Sequence, residues 1–328
     1  MPESSVQNFN HLKIHSQYSI CEGAIKIDDL KNYCKDNKIK SLGLSDTSNL
    51  CGSLEFSENL SKSGTQPIIG TQILFNFNDE VGLLPLIASS EIGYKKIIEL
   101  SSRSYLDNMK NIDPQCKLED LLDNPEGIIL LSGSINGLIG KLFNKGKFSE
   151  IQEIYKLFKK NYGDNFYVEI QRHNDNNEKS FENYNLNLSK KFALPIIATQ
   201  EIYYLDKSMY DAHEALICIG QKTYLNDKNR LSFSNQHYLK SSEEMNKLFS
   251  DLPEALENNY NLPLRCNFRP LASKPILPNI SSEKGSNSEQ LLDSYSKNGL
   301  INKFLHVFKV PEEQIQLNEK FKIYKNRL

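Results

Sequence analysis

His11-Leu-Lys-Ile-His15-Ser-Gln-Tyr-Ser-Ile-Cys-Glu-Gly-Ala-Ile-Lys26 opens on a strand-length run, crosses a polar loop and leads directly into a helical pattern. That helix reads from Ile27-Asp-Asp-Leu30-Lys-Asn-Tyr33-Cys34, where apolar residues recur three and four apart, with Asp28 expected as its cap. Working outward, the alternation repeats. Ser41–Ser45 is a strand, Leu54–Leu60 a helix, Pro67–Phe75 a strand, Leu83–Ala88 a buried strand and Gly93–Leu100 a helix. Gly127–Leu131 and Phe166–Ile170 read as further strands, separated by a helical stretch through Ile151, Ile154 and Phe158; Pro195–Ala198 follows a helix ending near Phe192. Apolar strands alternating with helices predict an α/β protein on a parallel sheet covered on both faces. A barrel and a doubly wound sheet both satisfy this pattern.

The chain has 328 residues, enough for one large α/β domain or a domain with an appendage. Mean hydropathy is −0.51, and no apolar run approaches the roughly 18 residues of a spanning helix, so a membrane class is excluded. The first eight residues, Met-Pro-Glu-Ser-Ser-Val-Gln-Asn, have neither a basic nor an apolar signal region; residues 1–8 read as a flexible N-terminus and the protein as cytoplasmic. The six cysteines are scattered without a Cys-x-x-Cys pair and are expected as free thiols. A net charge of −2 gives no overall pull toward nucleic acid, so any contact with DNA is expected to be local or indirect. After Cys266 the proline-rich run Phe268-Arg-Pro-Leu-Ala-Ser-Lys-Pro-Ile-Leu-Pro278 marks a boundary. The expected organisation is a folded domain over 9–268, a linker over 269–286 and a mainly helical segment over 287–328. Its helical patterns run through Leu291, Leu292, Tyr295 and Leu300, and from Pro311 to Leu328. The last carries an apolar face, from which a longer natural polypeptide is expected.

Three groups of residues invite a chemical reading. Lys13 and His15 share one strand face, where a His-x-His pair would present two imidazoles to one metal ion. Lys13 cannot serve, because an ammonium has no lone pair; His15 alone reads more simply as a hydrogen-bonded histidine at a sheet end. Ser45-Asp46-Thr47-Ser48-Asn49-Leu50 follows a strand, where functional loops collect, but a helix cap explains it equally well and is preferred. Glu201-Ile202-Tyr203 follows another strand. Asp211-Ala-His213-Glu214 lies in a helical pattern, where i and i+2 do not share a face, and reads as solvent-facing. Phosphate loops, dinucleotide fingerprints, nucleophile elbows and zinc ribbons are absent from the sequence.

Several long motifs carry a resemblance. His11–Lys26 resembles the opening motif of the PHP (polymerase and histidinol phosphatase) domain of bacterial DNA polymerase III alpha subunits, usually His-Leu-His-Val-His-Ser-Glu-Tyr-Ser followed by an acidic residue and Gly-Ala. Ser41–Gly52 and Lys62–Gln72 resemble its second and third motifs. Asp211–Gly220, Tyr238–Phe249 and Leu252–Asn259 resemble segments characteristic of the alpha subunit and lacking in stand-alone phosphatases. The resemblance implies a distorted (β/α) barrel followed by the beginning of a polymerase core. The glycine-rich motif and catalytic aspartates of such a core are absent here, and its magnesium is expected only there.

In intact family members, histidines, carboxylates and a cysteine at the barrel mouth hold metal ions that support phosphoester hydrolysis. Carried over position by position, the first-motif histidines fall on Lys13 and His15 and the following aspartate on Glu22. The second-motif histidine falls on Thr47, the third-motif glutamate on Gln72 and the next histidine on Leu83. The cysteine falls on Ser134, and the final aspartate and histidine on Glu201 and Tyr203. Only His15, Glu22 and Glu201 remain acceptable ligands. The expectation is therefore a vestigial site with no metal and no catalytic residue, in which Lys13 pairs with Glu22 or Glu201. The resemblance further implies a domain that docks the proofreading exonuclease subunit alongside the rest of the alpha subunit. The enzyme alternative is a metal-dependent phosphoesterase or 3′–5′ exonuclease at the barrel mouth.

Overall fold

The computed structural model describes residues 7–107, 113–227, 229–275 and 288–327. Residues 1–6 of the expected N-terminal segment and 276–286 of the expected linker lie outside these described residues. The chain divides into two compact units, Met1–Ala272 and Ser273–Leu328.

The larger unit is built on β1 (Lys13–Ile14), β2 (Ser41–Thr47), β3 (Gln66–Phe77), β4 (Glu80–Ala88), β5 (Gln115–Lys117), β6 (Ile128–Leu131), β7 (Phe166–Ile170), β8 (Ile196–Ala198) and β9 (Glu201–Ile202). These form a curled sheet in the order β8-β7-β6-β4-β3-β2-β1-β9, with β5 beside β3. Pairing is parallel except around β4, which runs antiparallel to both β3 and β6. The two residues joining β3 to β4, Asn78 and Asp79, have φ of 49° and 64°. Two positive φ values in a two-residue connection are the signature of a hairpin turn whose twist suits the flanking strands. The expected parallel arrangement is thereby corrected at this strand. The fold is a distorted (β/α) barrel.

Successive residues of each strand face opposite ways. Ile68, Ile87, Ile129, Leu131, Tyr167 and Ile197 meet in one apolar cluster inside the curl, closed below by Leu262 and Cys266. Their neighbours Ile69, Leu86, Leu130 and Ile196 face the helices outside. Helices α1 (Ile27–Asp36), α2 (Ser53–Lys62), α3 (Glu91–Leu106), α4 (Leu118–Leu122), α5 (Leu138–Asn144), α6 (Phe148–Tyr162), α7 (Glu178–Phe192), α8 (Tyr210–Gln221), α9 (Ser242–Leu248) and α10 (Pro253–Asn261) complete the unit. Asp28 sits in the first turn of α1 rather than capping it, because the helix begins at Ile27 with Lys26 as the flanking residue. All six cysteines are free.

The edges of the curl have an unusual relation. β8 and β9 lie at opposite ends of the strand order, yet only Thr199 and Gln200 separate them in the chain. Helix α10 attends to this seam: Asn258 Nδ2 donates to the Ile196 carbonyl at 2.8 Å, and Asn259 Nδ2 to the carbonyls of Ala198 at 3.0 Å and Asn10 at 2.8 Å.

The smaller unit contains α11 (Ser288–His306), α12 (Glu312–Ile315) and α13 (Glu319–Lys325). The expected single helix from Pro311 is broken in two there, with Asn318 capping α13 through bonds to the Lys320 and Phe321 amides. Phe304, Ile315 and Phe321 form its core.

Candidate functional site at the barrel mouth

The rows of inward-facing residues change character toward the C-terminal ends of the strands. In β3 the row Ile68, Gly70 continues to Gln72, and in β7 Tyr167 is followed by Glu169; both polar side chains are buried. β9 adds Glu201, and Lys13 stands opposite it in register. The Lys13 ammonium, fully enclosed, lies 2.9 Å from Glu201 Oε2 and 3.2 Å from Glu169 Oε1. Burial alone would lower its pKa, yet Glu169 and Glu201 together raise it above the ordinary lysine value, so the group is charged. Of the two expected partners, Glu201 is the one Lys13 meets; Glu22 instead accepts from Thr47 Oγ1 at 2.5 Å.

His15 Nε2 donates to Glu201 Oε1 at 2.7 Å, and its ring stacks on Tyr203 at 4.5 Å between centroids. Thr47 Oγ1 and Ser19 Oγ approach His15 Nδ1 at 3.4 and 3.3 Å. The Gln72 amide also donates to Glu201. Burial opposes the charge of Glu201, but Lys13 foremost, then His15 and Gln72, hold its carboxyl well below the usual range. Gln72, Leu83, Ser134, Glu201 and Tyr203 share the lining of a cavity of about 40 Å³. The structure thus gathers Lys13, His15, Glu22, Thr47, Gln72, Ser134, Glu201 and Tyr203 at one end of the barrel.

Other sequence readings are corrected here. Asp46 caps no helix: its carboxylate accepts from the Ser16 amide, Ser16 Oγ and Ser19 Oγ at 2.7, 2.8 and 2.6 Å, pinning the loop after β1 to β2. His213 and Glu214 do not face solvent. His213 Nε2 donates to the Glu22 carbonyl at 2.8 Å, and Glu214 binds Arg230 at 2.5 Å and Ser232 Oγ at 2.7 Å. They fasten α8 to the site loops.

Glu169 was missed by sequence reasoning, although a lone carboxylate inside the apolar run Phe166–Ile170 is a legible signal. Gln171, His173, Asp175, Glu178 and His237 were missed as well. Glu178 accepts the amides of His173 and Asn174 at 2.7 and 2.8 Å, and burial pushes its carboxyl up to about 7.

No helix among the described residues is long and apolar enough to cross a membrane. Residues 11–173 match the PHP domain family. The chain is 35% identical over 313 residues to the DNA polymerase III subunit alpha of Caulobacter vibrioides, covering 92% of this chain and 27% of that protein. The alpha subunit of Rickettsia prowazekii is 35% identical over 316 residues, covering 96% and 27%, and that of Vibrio cholerae 31% identical over 308 residues, covering 93% and 26%. A solved amidohydrolase from Chromobacterium violaceum with bound sulfate superposes with a TM-score of 0.42 at 10% identity, covering 63% of this chain and 96% of that one. The chain spans about a quarter of the length of the curated relatives it matches. With its motifs in family order around one barrel mouth, and this similarity along nearly all its length, the chain belongs to the PHP family, in the form carried by bacterial DNA polymerase III alpha subunits.

Proposed function

We propose that this chain is the N-terminal PHP region of a replicative DNA polymerase III alpha subunit, acting in DNA replication as a non-catalytic domain that docks the proofreading exonuclease subunit. The observation that carries the non-catalytic reading is the Lys13 ammonium held between Glu201 and Glu169 at 2.9 and 3.2 Å. A divalent ion placed about 4 Å from that charge would be repelled by several kcal/mol even at an effective dielectric of about 20. The surviving ligand candidates do not fit such an ion either. His15 and Glu201 are bonded to one another, and Glu22 is turned to Thr47. Lys13 takes the place of a cation in neutralising the buried carboxylates.

A barrel relieved of chemistry remains a platform, since function resides in sites rather than folds. The docking role rests on the resemblance to alpha subunits, as does indirect contact with DNA. The test is capture of the exonuclease subunit by the purified 328-residue chain, with micromolar or tighter binding expected in titration. No measurable association would overturn the docking role. Manganese-dependent cleavage of a DNA 3′ end, lost in His15→Ala, would instead establish the phosphoesterase alternative.

A further inference from the structure

A second cluster lies on the rim of the same cavity, at positions other than those the family motifs supply. His173 and His237 are buried with their rings 3° from parallel and 4.1 Å apart. Between them they clamp the backbone of Glu201, whose N–H donates to His173 Nε2 and whose carbonyl accepts from His237 Nδ1, both at 3.1 Å. A ring nitrogen that accepts from an amide carries no proton, and one that faces a carbonyl must carry one. His173 therefore holds its proton on Nδ1, where it donates to Glu178 Oε1 at 3.2 Å. His237 holds a proton on Nδ1, and in the neutral ring its Nε2 is a bare lone pair.

That Nε2 is buried without a hydrogen bond of normal length and faces Asp175 Oδ2 at 3.4 Å. The contact needs a positive species between the two atoms, which is either a second ring proton or a metal ion. The separation is itself informative: two ligands each about 2.1 Å from a tetrahedral ion stand roughly 3.4 Å apart. Ligand-type atoms of His173, Asp175 and His237 all fall within 4.8 Å of one another. Asp175 and His237 line the cavity of about 40 Å³, where Gln171, Ser134 and Asn136 add polar groups. The mouth as a whole is rich in carboxylates, since Glu22, Glu169, Asp175 and Glu201 gather there while the Lys13 ammonium pairs with Glu169 and Glu201 alone among these four.

We propose that His237 Nε2 and the Asp175 carboxylate bind a divalent transition-metal ion of the zinc type, with water completing its shell. Imidazole with carboxylate is a donor set suited to such ions. His173, both of whose ring nitrogens are engaged, is a positioning residue that stacks on His237 and fixes its orientation. The ion ties the segment after β7 to the segment carrying His237, and so secures the backbone of Glu201. It uses no side-chain atom of Lys13, His15 or Glu201, so it stands or falls separately from the docking role.

The test uses the full 328-residue chain without a polyhistidine tag, stripped by chelator and titrated with zinc or cobalt(II). One ion per chain is expected, with cobalt absorption bands in the visible and a melting temperature that climbs with free zinc. His237→Asn keeps a donor for the Glu201 carbonyl but lacks Nε2; it should weaken zinc binding at least 10-fold while the metal-free circular dichroism is unchanged. Asp175→Asn should do the same, and His15→Ala should leave the affinity unaltered. Absence of stoichiometric binding, or binding that survives His237→Asn and Asp175→Asn, would overturn the proposal. Binding lost only in His15→Ala would overturn it too, and would place the ion in the motif positions instead.

Discussion

Replacing Lys13 by methionine removes one ammonium and leaves the stem nearly unchanged in volume. In the native site the charge lies 2.9 Å from one Glu201 oxygen and 3.2 Å from one Glu169 oxygen. At an effective dielectric of about 20 these contacts are worth about 6 and 5 kcal/mol of attraction, most of it offset by desolvation of the three charges. Removing one member of such a group leaves the others buried and uncompensated, at a cost of about 3 to 5 kcal/mol. For a domain of this size that is a fall in melting temperature of roughly 6 to 20 °C. The pH dependence gives the effect a signature. Glu201, ordinarily near 4.5, is held well below that value in the native state, chiefly by Lys13 against the opposing effect of burial. A depressed carboxyl contributes stability that is present above the unfolded pKa and lost as pH falls through the folded one. Without Lys13 burial pushes Glu201 upward, so the deficit of the variant is largest near pH 7 and shrinks toward pH 4.5 as protons replace the ammonium. The assay is thermal and urea unfolding followed by circular dichroism at both pH values. The double variant Lys13→Met, Glu201→Gln should recover part of the loss. An unfolding midpoint at pH 7 equal to that of the unaltered chain, or a deficit of the same size at both pH values, would refute the reasoning.

Two further outcomes follow from the same geometry. Glu178, raised to about 7 by burial, binds its proton more tightly in the folded chain than in the unfolded one, so its contribution to stability declines as pH rises from about 4.5 to 7. Glu178→Gln should remove about 2 kcal/mol of that decline between pH 5 and pH 7.5, read from the unfolding free energies of urea titrations at the two pH values; an unchanged pH slope would contradict the assignment. Gly43 in β2 has no room for a side chain, because an added Cβ would lie 2.6 Å from both Cα and the carbonyl oxygen of Leu12. Gly43→Ala should cost about 1 to 3 kcal/mol by forcing β1 away from β2, and a melting curve matching the parent would show that the strands separate freely.

The parts of the fold legible in sequence were those whose signal is local. Runs such as Ile128–Leu131 and Phe166–Ile170 are apolar on both sides because both faces are covered, and they emerged as strands. The antiparallel passage through β4 was legible too, in Asn78-Asp79, but was hidden by the expectation of βα units. Asp46, His213 and Glu214 were misjudged for a common reason. A polar residue near an element end suits a cap or a solvent face equally well, and only the tertiary partners Ser16, Ser19, Glu22 and Arg230 decide the matter. The pairing of Lys13 is anticipated on Glu22 or Glu201, of which only Glu201 meets it, and not on Glu169, since the latter lies on a strand with no motif to draw attention to it. His173 and His237 stand 64 positions apart, and no spacing rule connects them.

The asparagines of α10 have a consequence for how this molecule meets others. A sheet that stops short of a hydrogen-bonded ring ordinarily offers its outermost strand to any extended peptide, and strand addition is a common mode of both recognition and aggregation. Here the outward carbonyls of Ile196 and Ala198 are already occupied by the amides of Asn258 and Asn259. Visitors cannot be recruited as an extra strand at that margin, so whatever associates with this barrel there must grip side chains and helix faces, and must recognise shape rather than backbone.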